Sequence, residues 1–271
     1  MRRAAIGLLT LLCEAVASPA ATLKGPVTWG SPDQPWAVRR TVTAADRAAV
    51  AAYRSGAKAP IFSTDFSQPT ELQADWNIVS DEKPGLKACR RPASVAASLA
   101  GLRLQVLAAQ DCRLGPYSTG YIASKAKYGY GFFEARMKIA DITGVDNAFW
   151  LTTDDDFEID ATETYYPGYM HLGFHHWPQS KTEKPASVGW GANFTEDLSA
   201  GLHDVGLLRT PTDMVYEIDG EPIAAVVTNG SAKGPATIRL STALADWAGG
   251  KVPDHPLGHL MTVRSLRVFS P

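Results

Sequence analysis

The sequence predicts an all-β domain, an antiparallel sandwich or barrel, preceded by a short extension. Three observations carry this. From Ile61 onward, short segments alternate apolar and polar residues as half-buried strands do. Gly, Pro, Asn and Asp separate them roughly every ten residues, the turn spacing of such folds. Val215 to Ile218 and Ile223 to Val227 flank Asp219 and Gly220, a pair suited to a two-residue hairpin turn.

In chain order, residues 1–20 read as an export signal: Arg2 and Arg3 form a basic start, Ala4 to Cys13 an apolar stretch, and Ala15-Val16-Ala17 a small-residue cleavage site, with a cut after Ala20 equally readable. The apolar run is too short to span a membrane. A secreted or periplasmic location is therefore expected. Residues 21–59 form the extension, and its one regular feature is a short helix over Ala44 to Ser55. Thr43 opens it with Asp46 three residues on, and Gly56 closes it. Residues 60–271 form the β domain.

Removal of the signal takes Cys13 away and leaves Cys89 and Cys112 in a compartment where disulfides persist, so these two should pair. Leu102, Leu104 and Val106 alternate with polar residues as a strand. A hairpin folded about Ala100 and Gly101 sets Cys89 opposite Cys112. No neighbouring residues offer the His/Cys spacing of a zinc centre.

With 271 residues, 45% of them hydrophobic and 20% charged, the chain can bury a sizeable core. Its 26 basic and 28 acidic residues leave a net charge of -2, which is no footprint for nucleic acid or an anionic membrane. A Gly-rich phosphate loop and a Gly-x-Ser-x-Gly elbow are both missing, which argues against a nucleotide enzyme and an α/β-hydrolase.

The chemistry concentrates in AFWLTTDDDFEIDATETYY. Asp154 to Asp156 alone would suit a solvated turn or a calcium loop. Beyond them, Phe157, Ile159 and Ala161 alternate with carboxylates, so a strand aims Glu158 and Asp160 at one face. Glu163 lies at an odd spacing from Glu158 and would point to the opposite face of a regular strand. One extra residue in a β-bulge around Ala161-Thr162 restores it to the same surface. Like charges along one β face repel and are expensive unless a site uses them. A pair of carboxyls so placed can attack a sugar carbon and protonate a leaving oxygen.

FEIDATE resembles the Glu-x-Asp-x-x-Glu signature of family 16 glycoside hydrolases, in the subgroup of laminarinases, agarases and carrageenases. IFSTDF with Trp76, SKAKYGYGFFEARMKI, NAFWL, LHDVGLLRTPTDMVYEIDGEPI and MTVRSLRVF follow the same family order, so the resemblance covers Pro60 to Ser270. It implies a concanavalin-like jelly-roll sandwich. It also implies Glu158 as nucleophile, Asp160 as helper and Glu163 as general acid and base of an endo-acting retaining glycosidase. Crowding by Asp160 and Glu158 should then raise the pKa of Glu163. In that family an Asp after Met-x-Val often helps hold calcium; Arg264 stands there instead, and no metal or cofactor is expected.

Flat aromatic faces grip sugars. Trp150, which matches the family's Trp in NAFWL, and Tyr165 and Trp190 are candidate subsite residues. In HLGFHHW, His171, Gly173, His175 and Trp177 share one face. A turn at Pro167-Gly168 would bring His175 near Glu163 as a hydrogen-bond partner, with Trp177 beside it for substrate grip, while His176 points away. The expected partner is a polysaccharide, a β-glucan or glucose-containing exopolysaccharide, bound by a monomer. A non-catalytic lectin-like module is the competing reading, and it has no need of three clustered carboxylates. A transglycosylase would use the same residues.

Overall fold

Alternation becomes two faces in the strand Gly131–Lys138, where Phe133, Ala135 and Met137 enter the main core and Phe132 and Glu134 face the other way. The computed structural model describes residues 19–180 and 182–271. Residues 1–18 of the expected export signal, Cys13 among them, lie outside the described residues. Two antiparallel sheets pack face to face as a jelly-roll sandwich, which resolves the choice between sandwich and barrel.

One sheet has eight strands. Its centre runs in the order Ala186–Asn193, Tyr169–His176, Phe157–Tyr165, Val145–Thr153, Ala236–Leu244 and Tyr121–Tyr128. The other is built around Glu221–Val227, Asp213–Ile218, His203–Arg209, Gly131–Lys138 and Leu260–Phe269. Phe149, Leu151, Ile159, Leu172 and Phe174 from the first sheet meet Phe133, Leu207, Tyr216 and Leu266 from the second, all fully buried. The hairpin at Asp219-Gly220 forms as its sequence predicts, with φ of 52° and 88°.

The extension is woven into both sheets. Thr28–Trp29 adds an edge strand beside Ala186–Asn193, and Val38–Arg40 adds one beside Glu221–Val227. Its helix spans Ala44–Arg54, with a capping box in which Thr43 and Asp46 satisfy each other's backbone N–H. Val50 and Tyr53 bury against Phe132, Leu208, Val215 and Phe269 on the outer face of the second sheet. A second short helix, Pro69–Asp75, carries no signal in the sequence strong enough to be read.

Cys89 and Cys112 are bonded, with Cα atoms 5.5 Å apart. The hairpin about Ala100 and Gly101 exists, but its ladder ends at Val95 and Leu104. Pro92, lacking an N–H, starts a 3₁₀ turn there, and Cys89 instead joins a small separate sheet in parallel with Ser118.

The helix ends on a buried ion cluster. The Arg54 guanidinium reaches Glu134 at 2.5 Å, Asp204 at 2.7 Å and Glu217 at 3.4 Å. Glu134 and Glu217 are almost fully buried; Arg54 compensates both, and Arg267 donates from the last strand to the other oxygen of Glu134. Burial pushes Glu217 up to about 8, against the pull of Arg54. Removal of Arg54 takes charge-assisted hydrogen bonds from Glu134 and Asp204, which keep Arg267 and Arg136, and Arg54→Ala should cost about 2 kcal/mol in denaturant unfolding. Glu217 keeps its proton in the native state to about pH 8 but releases it near 4.5 when unfolded. The native state therefore binds more protons in that window, and stability falls as pH rises through it. Glu217→Gln should flatten that part of the melting-temperature profile between pH 5 and 8.

Candidate active site

The strand Phe157–Tyr165 buries Phe157, Ile159 and Ala161 in the core and turns Glu158 and Asp160 outward. The ladder slips at Ala161-Thr162. On one side Phe149 pairs with Thr162 and Trp150 with Asp160; on the other Asp160 pairs with Gly173 and Glu163 with His171. Two residues thus occupy the space of one, and Glu163 returns to the outer face. Glu158, Asp160 and Glu163 line a single cleft.

Histidines from the adjoining strand answer the carboxylates. His175 stands opposite Glu158 in register, and its Nε2 lies 2.7 Å from Asp160 Oδ2, where the N–H donates to the carboxylate. Its Nδ1 lies 2.7 Å from Ser187 Oγ, which fixes the ring plane. Glu163 is met instead by His171, Nδ1 to Oε2 at 2.8 Å. The expected closeness of His175 to Glu163 is thus corrected: the bulge advances the pairing, so His171 takes that place. His176 stacks on Phe157, outside the cleft.

Burial lifts the Glu158 carboxyl to about 7, and the charge of Asp160 adds to it. Burial works to lower the His175 pKa, but the hydrogen bond and charge of Asp160 outweigh it and raise it.

Trp150 is half-buried at the cleft wall, its Nε1–H donating to Ser241 Oγ at 3.0 Å and its ring stacked on Tyr121. Trp177 is 43% exposed and lies parallel to the His175 ring, 5.5 Å between centroids. Tyr165 is buried between Tyr169 and Trp247 at the cleft margin. Trp190 does not reach the cleft. It is 5% exposed and packs on Trp29 and Tyr216, because its ladder partner is the inward-facing Leu172.

The structure adds Asp146, Lys83, Arg90, Ser241 and Trp247 to the cleft lining. Asp146, Ala148 and Trp150 alternate along Val145–Thr153, so that parity was readable once Trp150 was placed. Lys83 and Arg90 arrive through topology alone. Two triads, Glu158-Asp160-His175 and Asp160-Glu163-His171, have ligand atoms within 4.8 Å of one another, a spacing that a cation could use. Hydrogen bonds between imidazole and carboxylate already engage the histidine nitrogens facing the carboxylates in both.

The family model for glycosyl hydrolases family 16 matches residues 90–261, and the chain belongs to that family. It is 26% identical over 161 residues to an endo-1,3-1,4-β-glycanase, EglC, of Rhizobium meliloti (strain 1021); the match covers 57% of this chain and 34% of that protein. The chain thus spans about a third of that relative's length. The laminarinase catalytic domain of Thermotoga maritima MSB8 has a similar structure, with a TM-score of 0.69 at 16% identity, covering 79% of this chain and 98% of that one. A family 16 protein of Bacteroides ovatus, solved with a G4G4G3G product of mixed-linkage glucan, aligns with a TM-score of 0.66 at 18% identity over 77% of this chain and all of that one. These likenesses show a shared fold.

Gly173 leaves the space that the row needs. A Cβ there would collide with Asp160 Oδ2 and His175 Nε2, and a Cβ at Gly189 would lie 2.8 Å from His171 Nε2. Gly173→Ala should therefore part His175 from Asp160. The hydrogen bond that does most to raise the imidazole pKa would then be lost, leaving burial opposed only by the carboxylate charges. Proton NMR titration should show the His175 pKa lower in the variant than in the parent; an unmoved value would mean that the Asp160 hydrogen bond is not what raises it.

Proposed function

We propose that this protein is an exported, endo-acting, retaining glycoside hydrolase of β-linked polysaccharides, with β-glucans and glucose-containing exopolysaccharides the favoured substrates. The observation that carries it is the bulge at Ala161-Thr162, which puts Glu163 on the same face as Glu158 with Asp160 between them. The names of the β-glycanase relative and of the laminarinase and mixed-linkage glucan neighbours support the substrate class. The Cys89–Cys112 disulfide supports an oxidising compartment.

Glu158, as carboxylate, attacks the anomeric carbon while the glycosidic C–O bond breaks, and the proton of Glu163 passes to the departing oxygen. Glu163, now ionised, takes a proton from water. The hydroxide formed at the anomeric carbon displaces Glu158 and restores both groups. Asp160, fixed by His175, holds negative charge beside Glu158, and His171 orients Glu163. Trp150 and Trp177 grip sugar rings along the cleft, and Tyr165 supports Trp247 in its lining.

Proton NMR of the first product from a β-glucan tests the mechanism, and the anomeric configuration should be retained. Glu158→Ala should abolish turnover. Glu163→Ala should lower kcat about 100-fold or more, with azide restoring turnover of an activated aryl glycoside. An inverted product would overturn the assignment.

A further inference from the structure

Asp146 is a fourth carboxyl of the cleft, and nothing in the Glu158–Glu163 row requires it. It sits two residues before Ala148, whose ladder partner is Glu163, and shares the outward parity of Ala148 and Trp150. It is only 5% exposed. Among the described residues its Oδ1 is buried without a hydrogen-bond partner. Its nearest polar neighbour in sequence, Asn147, spends its amide on Ala140, Val145 and Thr164, the residue across the ladder is Ala243, and Arg90 and Lys83 line the same cleft without a hydrogen bond to it.

A buried oxygen left unsatisfied costs about 1–3 kcal/mol. A group kept at that cost, lining a cleft and serving no packing purpose, is placed to meet a ligand. Burial pushes the Asp146 carboxyl far above the usual carboxylate range, with the charges of Glu163 and Asp160 adding to this and those of Arg90 and Lys83 opposing it. As a neutral acid it offers an O–H donor and a carbonyl acceptor at once, which suits a sugar hydroxyl and gives no charge to pair with.

We propose that Asp146 is a substrate-binding residue of this cleft, whose carboxyl group hydrogen-bonds a ring hydroxyl of a neutral sugar unit seated over Ala148 beside Glu163. This rests on the reading of the cleft as a polysaccharide site. It deepens that reading, because it assigns to the subsite at Asp146 a hydrogen-bond donor and acceptor for a sugar hydroxyl.

The test uses the full chain with Glu158→Gln, so that ligand survives, titrated calorimetrically with mixed-linkage and β-1,3-gluco-oligosaccharides. Adding Asp146→Ala should weaken binding about tenfold, whereas Asp146→Asn, which keeps a donor and an acceptor, should stay within about threefold. Binding by the Glu158→Gln chain should also weaken as pH rises and Asp146 ionises. The Asn variant should lack that limb, since Glu163, Asp160, Tyr165, Arg90 and Lys83 are common to both chains. Equal binding by the Glu158→Gln chain and its Asp146→Ala derivative, or superimposable pH profiles with and without Asp146→Asn, would overturn this inference alone. If Asp146→Ala fails to fold, the Asn comparison decides. Absence of binding by the Glu158→Gln chain itself would overturn the reading of the cleft, and this inference with it.

Discussion

Two residues, Ala161 and Thr162, occupy the ladder space of one, and the arrangement of the cleft depends on that slip. A regular strand would bury Glu163 in the core beside Ile159, where a carboxylate is ruinously desolvated. The bulge turns it outward instead, and the consequence is three carboxyls on a single β surface. Such a row repels itself. What holds it is the adjoining strand, which supplies His175 and His171 at hydrogen-bond distance. Gly173 and Gly189 leave the clearance for those imidazoles to lie flat against the sheet.

The sequence made part of this legible because period-two alternation is a local property. Phe133, Ala135 and Met137 went inward as their parity required, and the odd step from Glu158 to Glu163 announced the bulge before any ladder was known. The misplacements share a different cause. Trp190 is read as a cleft residue from its chemistry, but its parity depends on a ladder with Leu172 that the segment itself does not encode. His175 and His171 lie on the predicted face, yet which one meets Glu163 depends on how the bulge advances the pairing. Lys83 and Arg90 enter from the disulfide-linked region, and Asp146 shares the parity of Trp150 but stands outside the acidic motif that drew the reading.

The N-terminal extension shows how far a segment without a recognisable counterpart can be bound into the fold. It contributes one edge strand to each sheet, and Trp36 packs edge-on against Phe157 and Phe174 beneath the start of the acidic strand. On the opposite sheet its helix closes over Phe132 and Phe269 and delivers Arg54 to the buried carboxylates. The extension thus covers apolar surface and compensates charge that the sandwich alone would leave exposed or unpaired. Pieces of an isolated sandwich domain cut near residue 60 would lack both.

The position of the proton follows from these same contacts. Burial and Asp160 leave Glu158 titrating near 7 in the free cleft, whereas the proposed chemistry needs Glu158 bare and the proton on Glu163. Neighbouring carboxyls share protons as a group, so the two requirements are compatible if substrate redistributes the proton within the row. His175, itself raised by Asp160, is the charge closest to hand: in its protonated form it favours ionisation of Glu158 from across the ladder. A sugar ring settling over Glu163 excludes water from that end and disfavours charge there, which moves the proton toward the leaving oxygen. The bulge that brings the carboxyls onto one surface, the imidazole across the ladder and the burial of Glu158 thus act on the same proton equilibrium.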